Sequence, residues 1–238
     1  MKYLYEKLKF EFTHSTAQDV VAKVITTFGK RVVFASSLGL EDQVITHMAL
    51  QFSQSLSQHC RIFVLETGCL HKETIDVIEK MQQKYQMTYE IMYPNVTAVD
   101  SFISKKGKFS FYESIENRKL CCYIRKVEPL KRILYTADAW VTGQRQTQSI
   151  TRSNLKTIEW DEENKKIKFN PLVHWTIEQV WEYIKSNQIP YNVLHDRGYP
   201  SIGCDPCTRA IKPGENARAG RWWWESADKK ECGLHQLK

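Results

Sequence analysis

Apolar positions in this 238-residue chain recur with two alternating spacings. Across 15–29 they follow a helical period: Val20, Val21, Val24, Ile25 and Phe28 share one face, and Ser15 or Thr16 can cap the first turn. Gly29 can close that helix in the left-handed conformation. A β-branched and aromatic run at 31–36 then suits a buried strand. After the small-residue turn at 36–42 the helical period returns at Val44, Ile45, Met48 and Leu50. The alternation repeats with a strand at 61–66, a turn at Thr67-Gly68, and a helix at 71–86 with Ile75, Ile78, Met81 and Tyr85 on one side. It continues with a strand at 88–92, a helix at 118–135 and a strand at 139–143.

Strands alternating with helices predict an α/β fold, a Rossmann-like parallel sheet with helices on both faces, whose ligands bind beyond the C-terminal strand ends. The turns at 36–42, 66–70 and 142–152 then line one crevice. Each strand–turn–helix passage sets free backbone N–H groups at the positive end of a helix dipole, which suits a phosphate. The turn at 36–42 is neither a Walker-type loop nor a GxGxxG loop, and many such turns merely join elements.

Beyond 152 the character changes. Thr176 and Gln179 form a capping-box pattern ahead of Val180, Trp181 and Ile184, which face inward. From Pro190 onward Gly, Pro and Arg dominate, and Trp222-Trp223-Trp224 cannot all face one core from a regular element, so this segment is expected to pack between surfaces. The polar end reads as a mobile tail. The expected organisation is one α/β nucleotide-binding domain over 1–225 and a tail over 226–238.

Composition narrows the chemistry. No apolar run approaches the ~20 residues that cross a bilayer, and the first residues lack the apolar core of a signal peptide, so a cytoplasmic location without membrane partners is expected. In that setting seven cysteines point to metal or redox chemistry rather than a disulfide framework. The net charge of +7 favours anionic partners: nucleic acid, phosphorylated small molecules or an acidic protein. The arginines cluster at 118–132, 145–152 and 209–221, beside glycines and cysteine pairs rather than in a basic tail.

Cys204-Asp-Pro-Cys207 supplies half of a tetrathiolate site, and Cys121-Cys122 is the other close pair. Four soft thiolates select zinc or an iron–sulfur cluster. Adjacent side chains diverge by ~100° on a helix, so Cys121 and Cys122 reach one centre only through local distortion or toward a target larger than one ion. A four-iron cube offers separate corners. Zinc and unligated buried thiols remain the alternatives. Cys232 lies between Lys229-Lys230 and His235, where positive charge favours a thiolate nucleophile; the alternative is an inconsequential surface cysteine. Cys60 and Cys69 stand singly, and Cys69 reads as a small core or surface residue. Arg218 and Arg221 have the guanidinium forks that grip phosphate or sulfate, against the plainer reading of rim ion pairs or stacking on tryptophan. The same choice applies to Arg145, Arg152 and Lys126.

These segments resemble the assimilatory adenylyl-sulfate (APS) reductases, the iron–sulfur branch of the APS/PAPS reductase family. The resemblance runs from about residue 30 to the end. It is carried by Ser36-Ser-Leu-Gly-Leu-Glu-Asp42, Leu65-Glu-Thr-Gly68, Cys121-Cys122-Tyr-Ile-Arg125-Lys126 and Thr142-Gly-Gln-Arg145. Gly198-Tyr-Pro-Ser-Ile-Gly-Cys204-Asp-Pro-Cys207, Arg218-Ala-Gly-Arg-Trp-Trp-Trp-Glu225 and Glu231-Cys-Gly-Leu-His235 complete it. It implies a fold like the PP-loop ATP pyrophosphatases and one 4Fe-4S cluster per chain on Cys121, Cys122, Cys204 and Cys207. It further implies that Cys232 attacks the sulfur of APS, expels AMP and leaves an S-sulfocysteine that thioredoxin reduces to sulfite, in cysteine biosynthesis. By position Ser36, Gly39, Leu65, Gly143 and Arg152 match residues that hold the nucleotide, and Lys126, Arg218 and Arg221 supply positive charge. Relatives imply a homo-oligomer. Glu66 and Cys69 depart from the commoner Asp and Arg of the family. A PAPS-using or dual enzyme is the near alternative, and a zinc-stabilised nucleic-acid-binding module the remote one.

Overall fold

The computed structural model describes residues 1–12, 15–55, 60–149 and 152–226. The tail from 227 onward, with the predicted nucleophile Cys232, lies outside the described residues. In chain order the elements are α1 (Lys2–Leu8), α2 (Ala17–Phe28), β1 (Val32–Ser36), α3 (Leu40–Ser55), β2 (Arg61–Leu65), α4 (Lys72–Tyr85), β3 (Glu90–Met92) and α5 (Val96–Lys106). Then come α6 (Ile115–Cys122), a π turn (Tyr123–Val127), α7 (Glu128–Tyr135), β4 (Ala139–Val141), β5 (Ile158–Asp161), β6 (Lys166–Phe169) and α8 (Ile177–Ser186).

The strands form one six-stranded sheet in the order β3-β2-β1-β4-β6-β5. β1 runs parallel to β2 and β4, β4 runs parallel to β6, and β5 closes the edge antiparallel to β6. A mostly parallel sheet with helices is thus the fold that the alternation predicts. The central strands read as apolar runs because both of their faces are covered: Val32, Val33 and Phe34 of β1 and Ala139, Trp140 and Val141 of β4 are all buried. The β5–β6 hairpin goes unforeseen. Each strand has four residues, too few for alternation to stand out, and the turn is made by Asp161 accepting from the Asn164 N–H at 3.0 Å.

The chain makes two compact units that interleave along the sequence. The first is drawn from 1–64, 76–90 and 133–192, the second from 65–75, 91–132 and 193 onward. In the first unit α2 buries the stripe Val20, Val21, Val24 and Ile25. Its cap is Thr16, whose hydroxyl accepts from the Asp19 N–H while Asp19 accepts in return. α8 starts on the predicted Thr176–Gln179 box and packs on α3, where His47 Nδ1 meets the Tyr183 hydroxyl at 3.1 Å.

In the second unit the helix predicted over 118–135 begins earlier, capped by Ser114, and widens into the π turn directly after Cys121-Cys122. The tryptophans divide as their spacing requires: Trp222 is buried, Trp223 exposed, and Trp224 packs edge-on against Tyr112 with ring centroids 4.4 Å apart. The Arg118 side chain is fully buried against the Glu225 carboxylate at 2.6 Å. Trp222 lies beneath two guanidinium groups, those of Arg118 and Arg221, each 4.7 Å from its ring centroid.

Candidate active site

In the first unit the strand-end turn after β1 is built around Asp42. Its carboxylate accepts from the Ser37 N–H at 2.6 Å, the Ser37 hydroxyl at 2.5 Å and the Gly143 N–H at 3.1 Å, tying the turn to the loop that follows β4. Gly143 must be glycine here, because a Cβ would lie 2.3 Å from Asp42 Oδ1. Leu38 takes the left-handed region at φ 62°, an uncommon conformation for a bulky residue, and its N–H is held by the Ser36 hydroxyl at 3.2 Å. α3 begins at Leu40, so its first-turn N–H groups lack intrahelical acceptors. A strand-end turn of this kind can seat an anion, although here the Gly143 N–H is taken by Asp42.

Arg145 is not part of that seat. It is buried, paired with Glu41 at 2.8 Å, and donates to the Thr147 hydroxyl and the Trp175 carbonyl, so the structural reading of this arginine holds. Arg152 is half-buried and donates to Gln148 Oε1. Asp42, to which the sequence assigns no role, is the residue that organises the turn. Its signal is the carboxylate that ends Ser36-Ser-Leu-Gly-Leu-Glu-Asp42.

Burial raises the Asp42 carboxyl to about 6, against the hydrogen bonds from Ser37 and Gly143 that lower it, with Glu41 adding to the rise. The unfolded chain releases this proton near the ordinary value of 3.8, so the contribution is complete below that value and lost as pH rises through about 6. Urea unfolding of the wild type is therefore expected to weaken between about pH 4 and pH 7 by on the order of 2–3 kcal/mol relative to Asp42→Asn. Parallel slopes in the two proteins would refute this.

The second unit carries the thiols. Cys121, Cys122, Cys204 and Cys207 line one partly open cavity, and Cys69 lines it as well. Cys69 is thus neither a core filler nor a plain surface residue. The loop at 66–70 reaches the second cysteine pair through its backbone: Leu70 bridges Cys204, and the Asp205 N–H donates to the Cys69 carbonyl at 2.8 Å. The Thr67 hydroxyl is 3.3 Å from Cys204 Sγ. Burial pushes the Cys207 thiol up to about 12 and the Cys121 thiol upward, the latter opposed by Arg125. Among the described residues no group of three or more His, Cys, Asp or Glu side chains is arranged to hold a metal ion.

Basic groups share this wall. Lys126, on the π turn, and Arg221 both line the cavity, as do Arg118 and Arg125. Arg125 donates to the Thr67 carbonyl at 2.6 Å. Arg221 is buried over Gly203, where a Cβ would meet its guanidinium at 2.4 Å, and its Nε has no hydrogen-bond partner. Arg218 is not among the lining residues; its N–H donates to Asn216 Oδ1 at 2.9 Å. Leu65, the last residue of β2, is half-buried. Behind the wall His71, buried and lowered in pKa by that burial, meets Asp205 at 3.0 Å through Nδ1, and its Nε2 has no partner.

The class is therefore an α/β protein with a strand-end turn organised by Asp42 in one unit and a basic, cysteine-lined cavity in the other. Residues 31–210 match the model of the phosphoadenosine phosphosulfate reductase domain, and the chain belongs to that family. It is 53% identical over 205 residues to an adenosine 5′-phosphosulfate reductase of Burkholderia cepacia, covering 86% of this chain and 80% of that one. A solved phosphoadenylyl-sulfate reductase from Candida auris, in a phosphate complex, matches with TM-score 0.72 at 30% identity, covering 87% of this chain and 96% of that one. An FMN adenylyltransferase of Candida glabrata shares the fold, with TM-score 0.57 at 14% identity over 93% and 76% of the two chains. Among the described residues no helix is long and apolar enough to cross a membrane.

Proposed function

We propose that this chain is an adenylyl-sulfate reductase that converts adenosine 5′-phosphosulfate to sulfite and AMP, with Cys232 as nucleophile and thioredoxin as reductant. The observation that carries the reading is the single cavity lined by Cys121, Cys122, Cys204 and Cys207 together with Lys126 and Arg221. Support comes from the 53% identity to an adenosine 5′-phosphosulfate reductase. A cytosolic, homo-oligomeric enzyme of sulfate assimilation belongs to the same reading.

The donor set suits a 4Fe-4S cluster. Four cysteines line one cavity, and soft thiolates are the ligands that iron–sulfur clusters take. Cys121-Cys122 ends α6 and the π turn that follows carries Lys126, so an adjacent pair on regular helix favours a target larger than one ion. Buried thiols resist ionisation, and four of them become thiolates only beside a compensating cation. When bound, the cluster ties the two cysteine pairs together and contributes its field, without passing electrons to substrate.

The sulfate end of a phosphate–sulfate anhydride is a poor electrophile for a thiolate because both partners are negative. The Lys126 ammonium and the Arg221 and Arg218 guanidinium groups lower that barrier by neutralising sulfate and phosphate oxygens. The Cys232 sulfur forms a bond to the sulfate sulfur as its bond to the phosphate oxygen breaks, and AMP leaves with that electron pair. Two electrons from the thioredoxin dithiol then release sulfite and regenerate the Cys232 thiol. The Ser36–Asp42 turn and Gly143 suit the nucleotide end of the substrate, with Leu65 and Arg152 as its other candidate contacts.

The test is anaerobic, thioredoxin-dependent sulfite release with APS and PAPS at equal, sub-saturating concentrations. Preference for APS is the expected result. Comparable release from PAPS, the substrate in the name of the Candida auris relative, would make this a dual enzyme, and no sulfite from either would overturn the reading.

A further inference from the structure

We propose that Cys69 is a reserve iron ligand: a fifth thiol in the cluster cavity that takes the iron corner assigned to Cys204 when that bond is lost. The inference rests on the cluster reading above.

Three observations place Cys69 beside that corner. It lines the same cavity as the other four cysteines. The Leu70–Cys204 antiparallel bridge sets residues 70 and 204 opposite one another, which in such pairs means Cα atoms about 5 Å apart, so Cys69 is one residue away. Both cysteines also meet one hydroxyl. Thr67 Oγ1 accepts from the Cys69 N–H at 3.2 Å and lies 3.3 Å from Cys204 Sγ.

Apart from the Thr67 hydroxyl, the contacts holding Cys69 do not involve the Cys204 thiol. The Asp205 N–H donates to the Cys69 carbonyl, Arg125 anchors the Thr67 carbonyl, and the Glu66 carboxylate accepts from the Gly68 N–H at 2.9 Å. Loss of one sulfur therefore leaves the other in position. The exchange moves no electrons: the Cys69 thiol gives its proton to water, its sulfur pair forms the new iron bond, and the displaced Cys204 sulfur, where present, takes up a proton. A thiolate replaces a thiolate, so the charge and softness of the ligand set are unchanged. Nothing comparable supports Cys60, which lies in the other unit and not on this cavity.

Wild type, Cys69→Ala, Cys204→Ala and the double variant would be reconstituted anaerobically with ferrous iron and sulfide, and iron, acid-labile sulfide and Mössbauer spectra recorded. Cys204→Ala is expected to retain about half or more of the wild-type iron, and the double variant about fivefold less. Equal loss in both, or equal retention in both, overturns the proposal. Wild type that binds no cluster overturns the cluster reading itself, which the first sample alone reveals. A second measurement leaves Cys204 untouched: iron release to a chelator should be about threefold or more faster from Cys69→Ala than from wild type. Equal release rates overturn the proposal even where the alanine variant at 204 fails to fold.

Discussion

Replacing Cys232 by Ser is expected to abolish thioredoxin-dependent sulfite release while leaving iron content and nucleotide affinity at wild-type levels. The reason is chemical. A serine hydroxyl at neutral pH is almost wholly protonated and a far weaker nucleophile, whereas a thiol between Lys229-Lys230 and His235 has nearby positive charge to favour its anion. The expected loss is about a thousandfold or more, equivalent to ~4 kcal/mol of transition-state stabilisation. Cys232 is not one of the four cysteines assigned to the cluster, so iron content should be unchanged. Wild type given APS without thioredoxin should accumulate a sulfonate on the tail peptide in mass spectrometry. An unmodified tail, or a serine variant that turns over, would sink the covalent mechanism.

Arg118→Ala should produce the largest loss of stability. Both members of the Arg118–Glu225 pair are essentially buried, and Arg118 also covers one face of Trp222. Alanine leaves the Glu225 carboxylate enclosed without its cation, a change that costs about 3–5 kcal/mol. The control is Arg118→Leu with Glu225→Leu, which removes both charges and should recover most of the loss. A urea midpoint for Arg118→Ala that matches wild type, or a double variant as weak as the single, would show that Glu225 finds another partner. Because Arg118 lines the thiol cavity, the comparison belongs on the anaerobic holoprotein.

The site itself was legible in the sequence to unequal degrees. The pairs Cys121-Cys122 and Cys204/Cys207 announce soft-metal chemistry because chelate spacing is a local property. Which cysteines share the cavity is not local: Cys69 is brought there by the Leu70–Cys204 bridge beside it, and its own sequence neighbours give no hint of that. Arg218 and Arg221 look equivalent three positions apart, yet Arg221 is buried over Gly203 and Arg218 does not line the cavity. Arg145 looks like an anion ligand until Glu41 claims it.

What the sequence by itself determined are the features settled within a few residues. The capping box at Thr176–Gln179 and the cap that heads α2, which falls on Thr16 of the two candidates Ser15 and Thr16, close through hydrogen bonds three positions apart. The apolar runs of β1 and β4 show that those strands are covered on both faces, and the stripe on α2 is fixed by the helical period. The tertiary structure alone decided the rest: that β5 and β6 fold back as an antiparallel edge, that Asp42 is enclosed enough to hold its proton to about pH 6, and that Cys69 joins four other thiols. Each depends on burial or on a partner tens of residues away. Local periodicity carries no information about desolvation or long-range pairing, which arise only when the chain has closed.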